Sequence, residues 1–353
     1  MANERYDVAI VGAGPAGALL ASRLPGALRV LILDKSDAGN GFEKPCGGLL
    51  SEAAQEMLAR LDITLPAHVL TDPQIYAVRT LDVESGDERS YFKGYVNMKR
   101  GEFDRFMRAR IPACHDFRPA ARVVDAARAD GGFCVTYKDG ARQFTAHARY
   151  LVGADGANSL VRRKLYPGHR IRSYTAIQQW FEERNPQPFL SAIFDPATSG
   201  ACSWSLHKRG SFIFGGAFEH DASRDRFEEQ KKRLHARFGI EFGEPLKTEA
   251  CIVLRPRSSA ETLCGGDGCF LTGEAAGFIS PSSFEGISFA LYSGWALATA
   301  LSGGEREPNA AYRRLTSLLR RKIDARVAKS WFMFEPALRR AVLKSGLQGL
   351  AKL

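Results

Sequence analysis

The feature that most constrains this chain is a strand, a glycine turn, a helix and a second strand, all fitted in before residue 36. Tyr6-Asp7-Val8-Ala9-Ile10-Val11 is a β-rich apolar run that ends abruptly at Gly12-Ala13-Gly14-Pro15-Ala16-Gly17, and Ala18 to Leu24 continues with helical character. Arg29-Val30-Leu31-Ile32-Leu33 reads as a second strand that stops at Asp34, followed by Lys35. Each part has a mechanical reason in a βαβ dinucleotide-binding unit. Gly12 makes the tight turn, Gly14 lets the backbone approach a pyrophosphate, and Gly17 allows close helix-to-strand contact. The helix, opening at Pro15-Ala16, offers unpaired N–H groups and a positive dipole end to phosphate. Asp34 stands where it accepts hydrogen bonds from a ribose 2′-hydroxyl. A merely glycine-rich turn is the weaker reading, because strand, helix and acid are all in register.

The rest of the chain alternates between two patterns. Short β-like runs with turn signals occupy about Asp72 to Val96 and Arg122 to Tyr150, with a helical pattern starting at Arg100 between them. The apolar strand Tyr150-Leu151-Val152-Gly153 leads into Ala154-Asp155-Gly156, where the nucleotide-binding unit resumes. From Tyr174 to about Val253 the chain is strand-rich again, interrupted by a charged helix near Arg224 to Phe238. A strand at Cys269 to Thr272 precedes Gly273, and a helix runs from Ile287 to Leu301. The implied boundaries are 1–71, 97–171 and 254–303 for the nucleotide-binding unit, 72–96 and 172–253 for an antiparallel second unit, and 304–353 for a basic helical tail. No repeat or low-complexity linker appears, so the two units are interleaved rather than strung in series.

Composition narrows the class. With 353 residues, 45% hydrophobic and 25% charged, the chain is an ordinary globular one, which excludes a disordered tail protein, a fibre and a small disulfide scaffold. No run of about 18 apolar residues occurs, and the opening MANERYDVAIVGAG lacks a signal-peptide layout, so the expected location is cytoplasmic. The 7 cysteines, without any CxxC pair, fit neither a disulfide framework nor a zinc site, and no metal is expected. The net charge of +10 sits mostly in the tail, where Glu305 to Leu353 carries twelve Lys/Arg against four Asp/Glu. No helix-turn-helix, zinc-finger or RNA-binding signature accompanies it, so nucleic acid is not an expected partner. Arg313, Arg314, Arg320, Arg321, Lys322, Arg326 and Lys329 recur on one helical stretch with Leu315, Leu318, Leu319, Ile323 and Val327 at spacings of three and four. That stretch is either a solvated face packed on the core or a peripheral contact with anionic membrane.

Three further segments carry chemistry. Arg100 and Asp104 have the spacing of an i,i+4 salt pair on a helix. Asp155-Gly156-Ala157-Asn158-Ser159 with Arg162 follows an apolar strand and suits either a ribityl or pyrophosphate group or an Asx-type helix cap. Thr272-Gly273-Glu274-Ala275-Ala276-Gly277-Phe278-Ile279-Ser280-Pro281, then Phe284-Glu285-Gly286-Ile287, reads as strand, loop and helix start.

Together the three segments resemble the fingerprint set of FAD-dependent oxidoreductases of the aromatic-hydroxylase type, in order and spacing along nearly the whole chain. The resemblance implies an α/β fold: a Rossmann-type FAD-binding domain interleaved with an antiparallel-sheet α+β substrate domain, and a C-terminal helical segment. It implies cofactor contacts at Gly12, Gly14, Pro15, Ala16, Gly17, Asp34, Lys35, Cys46, Gly47, Arg100, Asp155, Gly156, Gly273, Glu274, Gly277, Gly286 and Ile287. Glu274 stands where that family usually has Asp, so its ribityl contact reaches one methylene further.

Lys44-Pro45-Cys46-Gly47-Gly48 is similar to the Cys-Gly-Gly signature of geranylgeranyl reductases and their CbrA-like bacterial branch, and Gly277 to Pro281 and Phe284 to Ile287 are similar to the same branch. An aromatic-x-Trp-x-x-Pro-Lys strand of those proteins is only partly matched by Cys202-Ser203-Trp204-Ser205-Leu206-His207-Lys208, which lacks the leading aromatic and the Pro. The resemblance implies an FAD-dependent reductase that saturates carbon–carbon double bonds of a hydrophobic, isoprenoid substrate, with NAD(P)H, ferredoxin or a quinol as electron donor. Cys46, Gly47 and Gly48 are its catalytic candidates; Cys46 read alone is equally a small buried hydrophobe. Trp180, Trp204, Phe212, Phe214 and Phe218 are candidates for the substrate pocket, against the plain alternative of sheet core. Two other functions share these motifs: a flavin monooxygenase acting on a small aromatic or lipid, and a flavin-containing protein that sequesters a lipid carrier. The sequence leaves the oligomeric state open.

Overall fold

The computed structural model describes residues 4–36, 44–303, 307–346 and 349–350. Along the chain these form β1 (Glu4–Val11), α1 (Pro15–Arg23), β2 (Val30–Leu33), β3 (Leu49–Leu50), α2 (Glu52–Arg60), β4 (Ile75–Asp82), β5 (Glu88–Asn97) and α3 (Arg100–Arg108). There follow β6 (Asp116–Arg118), β7 (Ala121–Ala129), β8 (Gly132–Asp139), β9 (Arg142–Gly153), α4 (Leu160–Leu165), β10 (Ser173–Glu182), β11 (Phe189–Phe194), β12 (Ser203–Lys208), β13 (Ser211–Phe218) and α5 (Ser223–Phe238). The last third adds β14 (Lys247–Leu254), β15 (Gly265–Gly266), β16 (Cys269–Leu271), α6 (Ile287–Ser302), α7 (Pro308–Leu315), α8 (Ser317–Phe334) and α9 (Pro336–Ser345).

Two sheets organise these elements. The first has the order β15-β16-β9-β1-β2-β6, with β7 and β8 extending from β9 as an antiparallel meander. Its inner pairs are parallel, and Val8 to Val11 and all of β2 are buried, as strands covered on both faces must be. Register brings Val11 beside both Leu33 and Gly153, and Gly153 beside Leu271. Three of the glycine- and acid-bearing turns therefore leave the same carboxyl edge of one sheet, the place where parallel α/β sheets bind ligands. Helices α1 and α6 pack here so tightly that a Cβ at Gly294 would meet the Ala16 carbonyl.

The second sheet has the order β14-β10-β13-β12-β11-β4-β5-β3, antiparallel except for β11 beside β4. One face is sealed by α5 through Phe227 and Leu234 packed on Phe181, Phe214 and Phe218. The other turns toward the first sheet, so the molecule's large cavity lies between the two.

Two expectations change at this level. Leu49 and Leu50, placed by sequence in the nucleotide-binding unit, pair with Asn97 and Val96 at the edge of the second sheet. The basic stretch from Arg313 to Lys329 is not one helix: α7 ends at Leu315 and α8 begins at Ser317. Between them Thr316 is fully buried and its hydroxyl donates to the Tyr312 carbonyl, competing with the backbone ladder. Leu319 and Ile323 then face the core and Leu318 faces solvent. No helix among the described residues is long and apolar enough to cross a membrane.

Candidate functional site

The glycine turn forms as its sequence demands. Gly12 adopts φ +99°, a conformation that disfavours side chains, and a Cβ there would strike the backbone of Ala154. A Cβ on Gly17 would overlap the Gly12 carbonyl oxygen, whereas one on Gly14 would meet nothing within 4 Å. The open space above Gly14 is thus a cradle, and α1 starts there with Pro15 and with no side-chain cap or acidic residue in its first turn. Asp34 is buried at the end of β2, where it accepts from the backbone N–H groups of Ala13 and Ser36. Arg108 of α3 stands 3.8 Å from it. Lys35 is exposed beyond the strand end.

At the second turn, the two readings of Asp155 meet in one side chain. Its Oδ2 caps α4 by accepting from Leu160 N at 2.6 Å and Val161 N at 3.2 Å, while its Oδ1 is buried without a partner. Burial, opposed by those hydrogen bonds, leaves the carboxyl above the usual range. Ala154 and Gly156 on either side line the cavity. Arg162 reaches from α4 to the carbonyls of Ala275 (2.5 Å) and Ala157, tying this turn to the next. The sequence offered Arg162 only as a neighbour; its buried guanidinium is what holds the Gly273–Ala276 turn in place.

At that third turn Gly273 takes φ +58° against Ala16, and Glu274 lies below it. Glu274 was expected to reach a ribityl chain; here its Oε1 accepts from Leu254 N at 3.0 Å and its Oε2 pairs with Lys44. Burial opposes the charge on Lys44, but the Glu274 carboxylate outweighs it and holds the ammonium's pKa up. Gly277 (φ +81°) is pinned by Ile171 and Thr262, away from the cavity lining. Gly286 caps α6 without a side-chain bond, and Gly286, Ile287 and Ser288 line the cavity with no acid in the helix's first turn.

The cavity, about 700 Å³, runs from Pro15, Ala16, Gly273 and Ser288 past Cys46, Gly47 and Gly48 to the apolar face of the second sheet. Arg100 and Asp104, an i,i+4 pair by spacing, are not on the open surface: the guanidinium Nε contacts both carboxylate oxygens at 3.0 Å, with side chains only 13% and 14% exposed. Burial opposes the charge on Arg100, yet Asp104 and the neighbouring Cys46 thiol raise its pKa. Cys46 Sγ in turn lies 3.4 Å from Gly48 N. The Cys-Gly-Gly turn is fixed from beneath by Lys208, which the sequence singled out only as the last residue of the Cys202–Lys208 segment. Lys208 is 4% exposed and donates to the carbonyls of Gly47, Gly48 and Met98. Burial pushes its pKa down to about 8.

Of the five aromatic residues expected in the pocket, Trp204 lines it; Trp180, Phe212, Phe214 and Phe218 do not. The reason is strand parity. Trp204 pairs with Gly215 and Ser205 with Phe214, so even-numbered residues of β12 share a face with odd-numbered residues of β13. Phe212, Phe214 and Phe218 therefore point toward α5, where Phe214 stacks on Phe227 and Phe212 packs on His207. Trp180 pairs with Ile213, sharing Trp204's face, but its indole lies beyond the cavity and donates to Glu249 at 2.8 Å. The Trp204 ring instead spreads over Gly215, where a Cβ would collide with it. Nearby wall residues that the sequence did not single out are Val78, Leu190, Ala192 and Leu206. A polar spot faces them: Tyr95, nearly buried, donates to Glu285 at 2.8 Å.

Comparison with known proteins agrees with this geometry. The family described as FAD binding domain matches residues 5–314. Protein CbrA from Escherichia coli O6:H1 is 46% identical over 353 residues, covering 99% of this chain and 96% of that protein. Among solved structures, a geranylgeranyl bacteriochlorophyll reductase-like protein from Thermoplasma acidophilum superposes with a TM-score of 0.78 at 18% identity, covering 98% of this chain and 91% of the other. PqsL from Pseudomonas aeruginosa, described as a probable FAD-dependent monooxygenase, gives 0.71 at 19% identity, covering 97% and 100%. Likeness at these identities is one of fold.

Proposed function

This chain belongs to the FAD-binding-domain family, with FAD as its cofactor, and on that premise we propose that it is a flavin-dependent reductase that saturates carbon–carbon double bonds of a hydrophobic, isoprenoid-type substrate. The observation that carries the reading is the continuity of one cavity from Pro15 and Ala16 at the start of α1, past Cys46-Gly47-Gly48, to the apolar wall of Trp204, Leu206, Val78 and Leu190.

The residues present fit FAD. Two helix N-termini, at Gly14 and Gly286, open on the cavity without side-chain caps, and the space above Gly14 is empty of protein. Asp155 keeps one buried oxygen unpartnered beside the cavity lining. Gly12 to Gly17 would hold the pyrophosphate and Asp34 the adenosine ribose. The start of α6 would meet the flavin ring, where a helix N-terminus stabilises negative charge. When bound and reduced, FAD supplies the hydride.

The chain's own side chains do the rest. Gly47 and Gly48 present only backbone at the junction, so a flat group approaches closely there. The apolar wall excludes water and orients an olefin along it. On this reading Cys46, beside Arg100 and the Gly48 N–H, delivers the proton that the second carbon requires.

The test is anaerobic incubation of the FAD-loaded protein, reduced by dithionite, with prenyl-chain lipids, following product mass. A gain of two mass units per event is the expected result. A gain of sixteen that requires oxygen overturns the reading in favour of a monooxygenase, and bound lipid without turnover overturns it in favour of a lipid-carrier protein.

A further inference from the structure

At its outer end the cavity opens between β5 and the helices α8 and α9, and the composition of that rim differs from the rest of the surface. Phe92, Trp331 and Phe332 are 78%, 66% and 53% exposed, large apolar side chains that a soluble surface has no use for as a group. Phe92 and Phe332 line the opening, and the Trp331 ring packs edge-on against Phe332 at 5.4 Å. Lys93, Arg326 and Lys329 line the same opening. Among the described residues none of these three cations has a carboxylate at salt-bridge distance, whereas Lys44, Arg100 and Arg108, nearer the cofactor cradle, each have one. They stand close enough for Arg326 and Lys93 to add, after burial, to the lowering of the Lys329 pKa. Glu285 lines the same cavity and attracts Lys329, but its carboxylate is already engaged by Tyr95.

Aromatic side chains that sit at a water–hydrocarbon boundary, interleaved with cations that no carboxylate neutralises, are what an anionic bilayer surface binds. We propose that the protein docks the mouth of its cavity on an anionic lipid bilayer through Phe92, Trp331, Phe332, Lys93, Arg326 and Lys329. The cavity then opens directly onto the acyl region, and a water-insoluble substrate enters without crossing solvent. Of the basic residues that the tail sequence suggested, the surface takes in Arg326 and Lys329 but not the N-terminal part of the stretch. Arg313 and Arg321 are exposed but do not line the opening, and Arg320 is turned inward onto Thr316 and the Arg313 carbonyl. The proposal rests on the hydrophobic-substrate reading for its purpose but not for its test, which involves no turnover.

The experiment is sedimentation of the FAD-loaded protein with vesicles of phosphatidylglycerol and phosphatidylcholine, and of phosphatidylcholine alone, at low ionic strength. Binding to the anionic vesicles with a shift of tryptophan emission to shorter wavelength is expected. Lys93→Glu with Lys329→Glu should weaken it at least about tenfold, and so should Phe92→Ser with Trp331→Ser and Phe332→Ser, whereas Arg313→Glu with Arg321→Glu should leave it within about twofold. All seven substituted positions are exposed or partly exposed and lie away from the glycine turns, so each variant should keep its flavin spectrum. No binding of the parent protein to anionic vesicles overturns the proposal, and so does a loss confined to the Arg313 and Arg321 variant. Anionic binding by the parent together with failed reduction of prenyl lipids leaves docking standing and removes only the reductase.

Discussion

Lys208 Nζ lies 2.6 Å from the carbonyl oxygen of Gly47, and with the carbonyls of Gly48 (3.2 Å) and Met98 (2.7 Å) it ties the turn that carries Cys46 to the end of β5. Only the ammonium form has three donors. Because burial pushes the pKa down to about 8, one of the three bonds is lost within an accessible pH range. Two effects of opposite sign follow. The folded state gives up its proton near pH 8 while the unfolded chain keeps it to about 10.5, so this residue's contribution to stability is present above the higher value and disappears as pH falls through the lower. Turnover should move the other way, declining above about pH 8 as the turn loosens. Lys208→Met should lower turnover by about tenfold and flatten the alkaline limb of the rate profile; a limb unchanged in the variant would remove Lys208 from this role.

The two glycines that follow Gly12 should fail differently. Gly14 has ordinary extended dihedrals and no neighbour within 4 Å of an added Cβ, so Gly14→Ala should fold normally. Its methyl would occupy the phosphate cradle, and FAD affinity should fall by at least about tenfold, measured by fluorescence titration. Gly17→Ala places the methyl on the Gly12 carbonyl. That variant should lose stability of the apoprotein itself, with a drop in Tm of several degrees. Equal Tm losses in both would contradict the assignment of the space above Gly14 to the ligand.

The first 35 residues could be read so far because parallel-strand burial and glycine sterics are local: Val8 to Val11, Gly12 and Gly17 carry their reasons within one βαβ unit. Asp155 was legible as one of two things and is partly both, a helix cap with one oxygen left over. What could not be read depends on the relation between strands. Nothing in the sequence around Phe212 and Phe214 states that β13 pairs with β12 in a register that puts Gly215, not an aromatic, beneath Trp204. Lys208 was missed for a related reason. A lysine at a hairpin end is ordinarily solvated, and only the approach of residues 47, 48 and 98 from distant parts of the chain buries it.

That parity makes a clean contrast testable. Trp204→Ala removes a cavity wall that rests on Gly215, so it should raise KM for a hydrophobic substrate about tenfold or more and alter Tm little. Phe214→Ala empties a fully buried site under α5 and should destabilise the fold by about 3–5 kcal/mol, read by denaturant titration, with KM near that of the parent at temperatures where it is folded. The reverse pattern would place the substrate on the α5 side of the sheet.

The buried pair between Asp82 and Arg339 anchors the last helix to that sheet. Asp82 is fully buried at the end of β4, its Oδ1 accepting from the N–H groups of Glu84 and Ser85 and its Oδ2 from Arg339 Nε at 2.8 Å. Arg339 also donates to the Met333 carbonyl at 3.0 Å and lies over the Phe194 ring, holding α9 where Val342 and Leu343 close one side of the cavity. Removing one partner of such a pair leaves a charge without compensation in the interior, a cost of about 3–5 kcal/mol, whereas removing both often costs little. Arg339→Met should therefore destabilise strongly and accelerate amide exchange along α9, and adding Asp82→Asn should recover much of the loss. A double variant as unstable as the single one would mean that α9 is held by its apolar contacts and that the ion pair is incidental to the cavity's shape.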